Sequence, residues 1–191
     1  MKKLIECFIQ QLILVPQTIY EVLLLLFIIG AIVYIALYGK RAAKYVSGLL
    51  LGEYIFIING LTVIYRSFTL RLNHVFIPFW SYKGLLKGEM PPLLYEMIMN
   101  LVLFIPAGLL LGTQITKRTT RQQWVFAFLL GLVLSLSIEV LQLVFQRGSF
   151  EIDDIIHNTV GCFMGFAIWR GCVKLIVAIK SHNGNNRQET A

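Results

Sequence analysis

Residues 135–165 read SLSIEVLQLVFQRGSFEIDDIIHNTVGCFMG, and the fold follows from them. The stretch starts inside one apolar segment, crosses a short polar connection and enters the next apolar segment. Glu139, Gln142, Arg147, Asp153, Asp154 and Asn158 sit there among residues otherwise suited to lipid. An ionisable group in hydrocarbon costs about 2.5–3.5 kcal/mol on insertion scales and more by other measures. A chain this apolar keeps such groups at its helix ends for a use, and the remaining sequence has the character of a scaffold that holds them at a membrane face.

Composition supports that reading. The chain has 191 residues, of which 57% are hydrophobic and 14% charged, with a mean hydropathy of +0.73. Soluble domains carry roughly 25% charged residues. The class is therefore a polytopic membrane protein, and the length suits one membrane domain with no appended soluble one. The net charge of +7 arises from 17 Lys and Arg against 10 Asp and Glu. These basic residues fall in connections, where they set topology and touch anionic lipid. No basic-aromatic module for nucleic acid is present. Cys7, Cys162 and Cys172 form no framework. The last two share a helix and lie about 15 Å apart along its axis, too far to bridge. Cys/His metal spacing is missing, so neither a metal nor a cofactor is expected.

A spanning helix needs about 20 mostly apolar residues. Five stretches qualify, at about 19–38, 46–65, 93–113, 124–145 and 155–177. The fold class is all-α, a polytopic membrane helical bundle of about five transmembrane helices. An N-terminal surface segment (1–17) precedes it, because Glu6, Gln10 and Gln11 interrupt the apolar run and no small-residue cleavage site follows. One transmembrane domain covers 18–180, and the polar residues 181–191 have the composition of a disordered tail. An interfacial connection joins helices two and three. In it Phe68, Phe76, Phe79, Trp80 and Tyr82 mix with basic residues, as in an aromatic belt lying in the headgroups or a lid over a site. Pro106 is expected to free a carbonyl and kink its helix. Gly48–Gly52, Gly108–Gly112 and Gly161–Gly165 are GxxxG pairs, which let helix backbones approach closely. Three of them favour a compact monomeric bundle over a specific dimer; a small homo-oligomer stays open.

Ten basic residues (Lys40, Arg41, Lys44, Lys117, Arg118, Arg121, Arg170, Lys174, Lys180 and Arg187) fall on one side of a five-span chain. Seven (Lys2, Lys3, Arg66, Arg71, Lys83, Lys87 and Arg147) fall on the other, spread over a longer connection and mixed with acids. The positive-inside rule then predicts an outside N-terminus and a cytoplasmic C-terminus in the cell membrane.

Depth gathers the polar residues. Glu96 and Asn100 open helix three, Glu139 and Gln142 close helix four, and Asp153, Asp154, His157 and Asn158 open helix five, while Asn59 ends helix two. All these ends face the same side, so the bundle is polar inside at one leaflet only. Ser135, Glu139 and Gln142 share a helix face, as do Asp154 and Asn158, and Arg147 is placed to answer acidic charge. Each residue has a plainer use beside the functional one. Asp153 or Asp154 is a natural N-cap. Asn100 and Asn158 can join helices by hydrogen bonds. His157 suits a helix start, and Glu53 is equally a site residue or a buried partner. Glu139, two turns inside its helix, is the hardest to explain without a function.

Together these residues resemble the VanZ-like family of bacterial membrane proteins. The likeness rests on RLNHVFIPFW (Arg71, Asn73, Pro78), NLVLFIPAGLLLG (Asn100, Pro106, Gly108), SLSIEVLQ (Ser135, Glu139, Gln142) and RGSFEIDDIIHNTVGCFMG (Arg147, Asp153, Asp154, Asn158, Gly161). It covers about 70–169, and the last block is the most specific. His157 departs from the pattern, and no family role passes to it. The resemblance implies resistance to teicoplanin-type lipoglycopeptide antibiotics through reduced antibiotic binding at the cell surface. It also implies that Arg71 and Asn73 join Asn100, Glu139, Gln142, Arg147, Asp153, Asp154 and Asn158 in a binding site. Three mechanisms are open. A binding protein would engage the antibiotic or a lipid-linked cell-wall precursor. An enzyme on such a precursor or on phospholipid would use Glu139, Asp153 and Asp154 in acid/base work or to hold a divalent cation, with Arg147 meeting phosphate. A proton-coupled transporter would relay through Glu53 and Glu139, but acids gathered at one leaflet and the lack of inverted repeats speak against it.

Overall fold

The computed structural model describes residues 17–36, 41–64, 74–86 and 90–189. The surface segment expected before residue 17, together with Arg71 and Asn73, lies outside the described residues. Among the described residues six α-helices follow one another: α1 (Gln17–Ala36), α2 (Arg41–Asn59), α3 (Trp80–Leu86), α4 (Met90–Gln114), α5 (Thr120–Phe145) and α6 (Ile152–Glu189). Among the described residues four stretches are long and apolar enough to cross a membrane: Ala42–Ile64, Leu94–Gln114, Thr120–Phe145 and Ile152–Ile179. The remaining expected span coincides with α1, whose 20 residues reach about 30 Å. Leu24, Leu25, Ile28 and Ile32 on it stay exposed, as do apolar side chains along every long helix, and such surfaces belong in lipid. The chain is an all-α membrane bundle.

Two features depart from the expectation. Helix α6 runs on to Glu189, through the polar stretch whose composition predicts disorder; that stretch holds no proline to break the helix. A two-residue parallel pairing, His74–Val75 with Phe150–Glu151, also interrupts the all-helical pattern. It ties the interfacial connection to the turn between α5 and α6. Pro106 lies inside α4, which continues unbroken as one helix.

The tightest packing is between α4 and α6, which run parallel. A Cβ on Gly161 would strike the Leu101 carbonyl, one on Gly165 the Ile105 carbonyl, and one on Gly108 the backbone of Cys162 and Phe166. Two of the three GxxxG pairs therefore face each other within this chain. The third does not act in this way, since Gly52 has open space beside it. Helix α5 joins the pair at Gly131, which abuts Thr159 and Cys162. It starts with a capping box, Thr119 exchanging bonds with Gln122, and stops where Gln146 turns left-handed. The core between α2, α4, α5 and α6 is built from Leu50, Tyr54, Ile58, Phe104 and Ile138. Tyr54 also donates its hydroxyl proton to the Leu103 carbonyl at 2.7 Å.

Candidate functional site

Helix ends that the chain sends to one rim meet there. Helix α2 finishes in a π turn, Gly60–Ile64, whose wide loop leaves carbonyls available to neighbours. Gln142 of α5 donates from Nε2 to the Thr62 carbonyl at 3.0 Å. Asn100 of α4 donates to Asp154 Oδ1 of α6 at 2.7 Å, and Asn158 donates to Ser135 Oγ of α5 at 2.9 Å. The Glu151 N–H donates to Glu139 Oε2 at 2.9 Å, so the strand pairing before α6 also positions the deepest acid. Glu139 is 1% exposed and Gln142 2%.

These groups surround a cavity of about 290 Å³. From the expected site it collects Asn100, Glu139, Gln142, Asp154 and Asn158. Glu96 also lines it, at the mouth, as do Thr62, Tyr95 and Glu151, which the sequence reading did not select. Glu151 had a legible signal, an acid two residues before the Asp153–Asp154 pair; Thr62 had none, because its role comes from its backbone. Two acceptors in this lining, Gln142 Oε1 and Asn158 Oδ1, are buried without a hydrogen-bond partner. A buried acceptor left unsatisfied costs about 1–3 kcal/mol, so the cavity is suited to a ligand that brings donors. Groups of three or more His, Cys, Asp or Glu able to hold a metal are absent among the described residues.

Other expected site residues go elsewhere. Asp153 points to the interfacial connection, where it accepts from the Phe79 N–H at 2.5 Å, from the Ser81 N–H at 3.0 Å and from the Ser81 hydroxyl. It therefore caps the first turn of α3 from another helix and holds Phe79 in a left-handed conformation (φ 61°). Adjacent residues on a helix point about 100° apart; here Asp154 lines the cavity while Asp153 turns to the connection. His157, one turn below Asp153, meets the Tyr82 hydroxyl through Nε2 at 3.1 Å. Residues 74–86 thus dock onto α6 without lining the cavity, and Phe76, Ile77 and Phe79 stay exposed, as an interfacial belt requires. Arg147 sits beside the π turn, with Nη1 donating to the Ile64 carbonyl at 3.4 Å, and is not part of the lining. Asn59 turns back to the Ile55 carbonyl of its own helix, and half-buried Glu53 lies on α2 away from the cavity.

The model of the VanZ/LLP1 family matches residues 25–177. The chain belongs to the VanZ/LLP1 family. That match reaches well ahead of residue 70, where the resemblance read from motifs begins, and takes in α2 and part of α1. A VanZ relative, "Protein VanZ" of Enterococcus faecium, is 40% identical over 74 residues, which is 39% of this chain and 44% of that protein. The matched part therefore spans less than half of the curated VanZ relative. No solved structure matches.

Proposed function

We propose that this VanZ/LLP1 protein works at the outer leaflet of the cell membrane and supports resistance to teicoplanin-type lipoglycopeptides. Its acidic cavity engages the antibiotic or a lipid-linked cell-wall precursor and so lowers the antibiotic's access to its target. The observation that carries this reading is the cavity itself, with Glu139 buried beside two acceptors that lack partners. Amide N–H and ammonium groups, abundant on peptide antibiotics and on peptide-bearing precursors, supply the missing donors. Orientation supports it as well: the short, strongly basic α4–α5 connection leaves from the opposite rim, which the positive-inside rule puts in the cytoplasm with the C-terminus.

The test is teicoplanin resistance and surface binding of the antibiotic in cells producing Glu139→Gln, Gln142→Leu or Asp154→Asn at matched membrane levels. Graded loss of resistance in all three is expected. Wild-type resistance throughout would remove the cavity from the function. A second reading draws on the same observation, since the carboxylates of Glu139 and Asp154 share one cavity: acid/base or phosphoryl chemistry on the precursor or on a phospholipid. It differs in the outcome, because Glu139→Gln would then abolish activity outright while leaving precursor binding intact.

A further inference from the structure

At the rim opposite the acidic cavity, a second recess of about 310 Å³ opens between the start of α5 and the far part of α6. Thr116, Gln123, Trp169, Arg170, Val173 and Lys174 line it, with no Asp or Glu among them. Its side-chain polar groups are donors almost throughout: an ammonium, a guanidinium, an indole N–H and a hydroxyl. The amide oxygen of Gln123 is already taken, since Arg170 Nη1 donates to it at 2.5 Å. Gln123 is itself 5% exposed, and its amide nitrogen donates to the Arg118 carbonyl at 2.9 Å and to the Thr116 carbonyl at 3.5 Å. Trp169 Nε1 is buried and has no hydrogen-bond partner.

Basic residues near helix ends commonly reach for the headgroups by snorkelling, with no site formed. Three things separate this recess from that case. The Arg170 side chain is fixed by a buried amide that is itself fixed; an indole donor waits without an acceptor; and both residues line one open recess. Depth agrees. Arg170 lies 18 residues beyond Ile152, the start of α6, or about 27 Å at 1.5 Å per residue, where a hydrocarbon core about 30 Å thick gives way to headgroups.

We infer that this recess binds the phosphate of an anionic lipid headgroup. Phosphate is a multiple acceptor that Arg170 and Lys174 attract by charge and the Trp169 N–H completes. Soluble phosphate carries the same chemistry, but a recess at headgroup depth meets lipid first. The inference is independent of the acidic cavity and of what that cavity does.

The experiment is native mass spectrometry of the full chain released from micelles containing phosphatidylglycerol or phosphatidylcholine, with thermal stability measured in parallel. Wild-type protein is expected to retain phosphatidylglycerol and to melt higher with it than with phosphatidylcholine. Arg170→Gln/Lys174→Gln should weaken retention by about tenfold or more, the loss expected for one charge-assisted hydrogen bond. Lys174→Gln alone, at an exposed position with no hydrogen bond to lose among the described residues, covers the case where the double variant misfolds and should show a smaller fall. Trp169→Phe keeps the ring packing and should lower retention without altering the melting point in phosphatidylcholine. Lys117→Gln, a neighbouring cation outside the recess, should behave as wild type. Stabilisation by millimolar inorganic phosphate, lost in Lys174→Gln, would keep the phosphate site and replace its lipid source. Equal retention of both lipids, or unchanged retention in both Lys174→Gln and the double variant, would overturn the inference.

Discussion

Gly161→Ala should loosen the whole bundle, although it adds only one methyl group. A Cβ there overlaps the Leu101 carbonyl oxygen, lies 2.9 Å from its carbon and 3.1 Å from Cα. Ordinary contact begins near 3.4 Å, and the obstacle is backbone that cannot rotate away. Helices α4 and α6 must then part by roughly an ångström, a gap that forfeits a quarter to a half of each contact's dispersion well. Gly165 and Gly108 lie on the same seam, so their contacts loosen together, and a loss of about 2–3 kcal/mol is expected, toward the upper end for overpacking. The Asn100–Asp154 bond, which joins the same two helices nearer the cavity, should lengthen as well. Thermal unfolding in detergent can be followed by alkylation of Cys162, a fully buried thiol, after Cys7 and Cys172 are replaced by serine. Gly52→Ala is the control: nothing lies within 4 Å of its new methyl, and alanine is the better helix former, so that variant should melt at or slightly above wild type. If Gly161→Ala melted together with Gly52→Ala, the parallel glycine seam would not be what holds α4 to α6.

Other outcomes follow from the same geometry. Asp153→Ala strands two backbone N–H groups and the Ser81 hydroxyl. It should cost about 3 kcal/mol or more, at roughly 1–3 kcal/mol per unsatisfied donor, and should expose residues 74–86 to limited proteolysis. Tyr82→Phe removes only the bond to His157 Nε2 and should cost about 1 kcal/mol by the same measurement. In the folded protein Cys172 is exposed and Cys162 buried. A membrane-permeant maleimide should therefore label Cys172 and leave Cys162 untouched until the bundle unfolds; prompt labelling of Cys162 would contradict the α4–α5–α6 core.

Much of this protein was legible before any coordinates. Twenty-residue apolar runs declare spanning helices because lipid leaves the backbone no other partner. The cost of burying polar groups then marks Glu139, Gln142, Asp154 and Asn158 as members of one rim. Both signals are local, or depend only on counting helices, so the chain carries them openly. The destination of each side chain across helices does not travel in the sequence. Asp153 and Asp154 are identical neighbours, yet 100° of helix rotation sends one to the interfacial connection and the other to Asn100 of α4. Arg147 lies beside the acids in the chain but reaches the end of α2 in space, and Thr62 holds Gln142 through a carbonyl that every residue possesses. The glycine pairs announce close approach without naming a partner. Only packing made that partner another helix of the same chain, because the backbones of Leu101 and Ile105 fill the space their missing side chains leave.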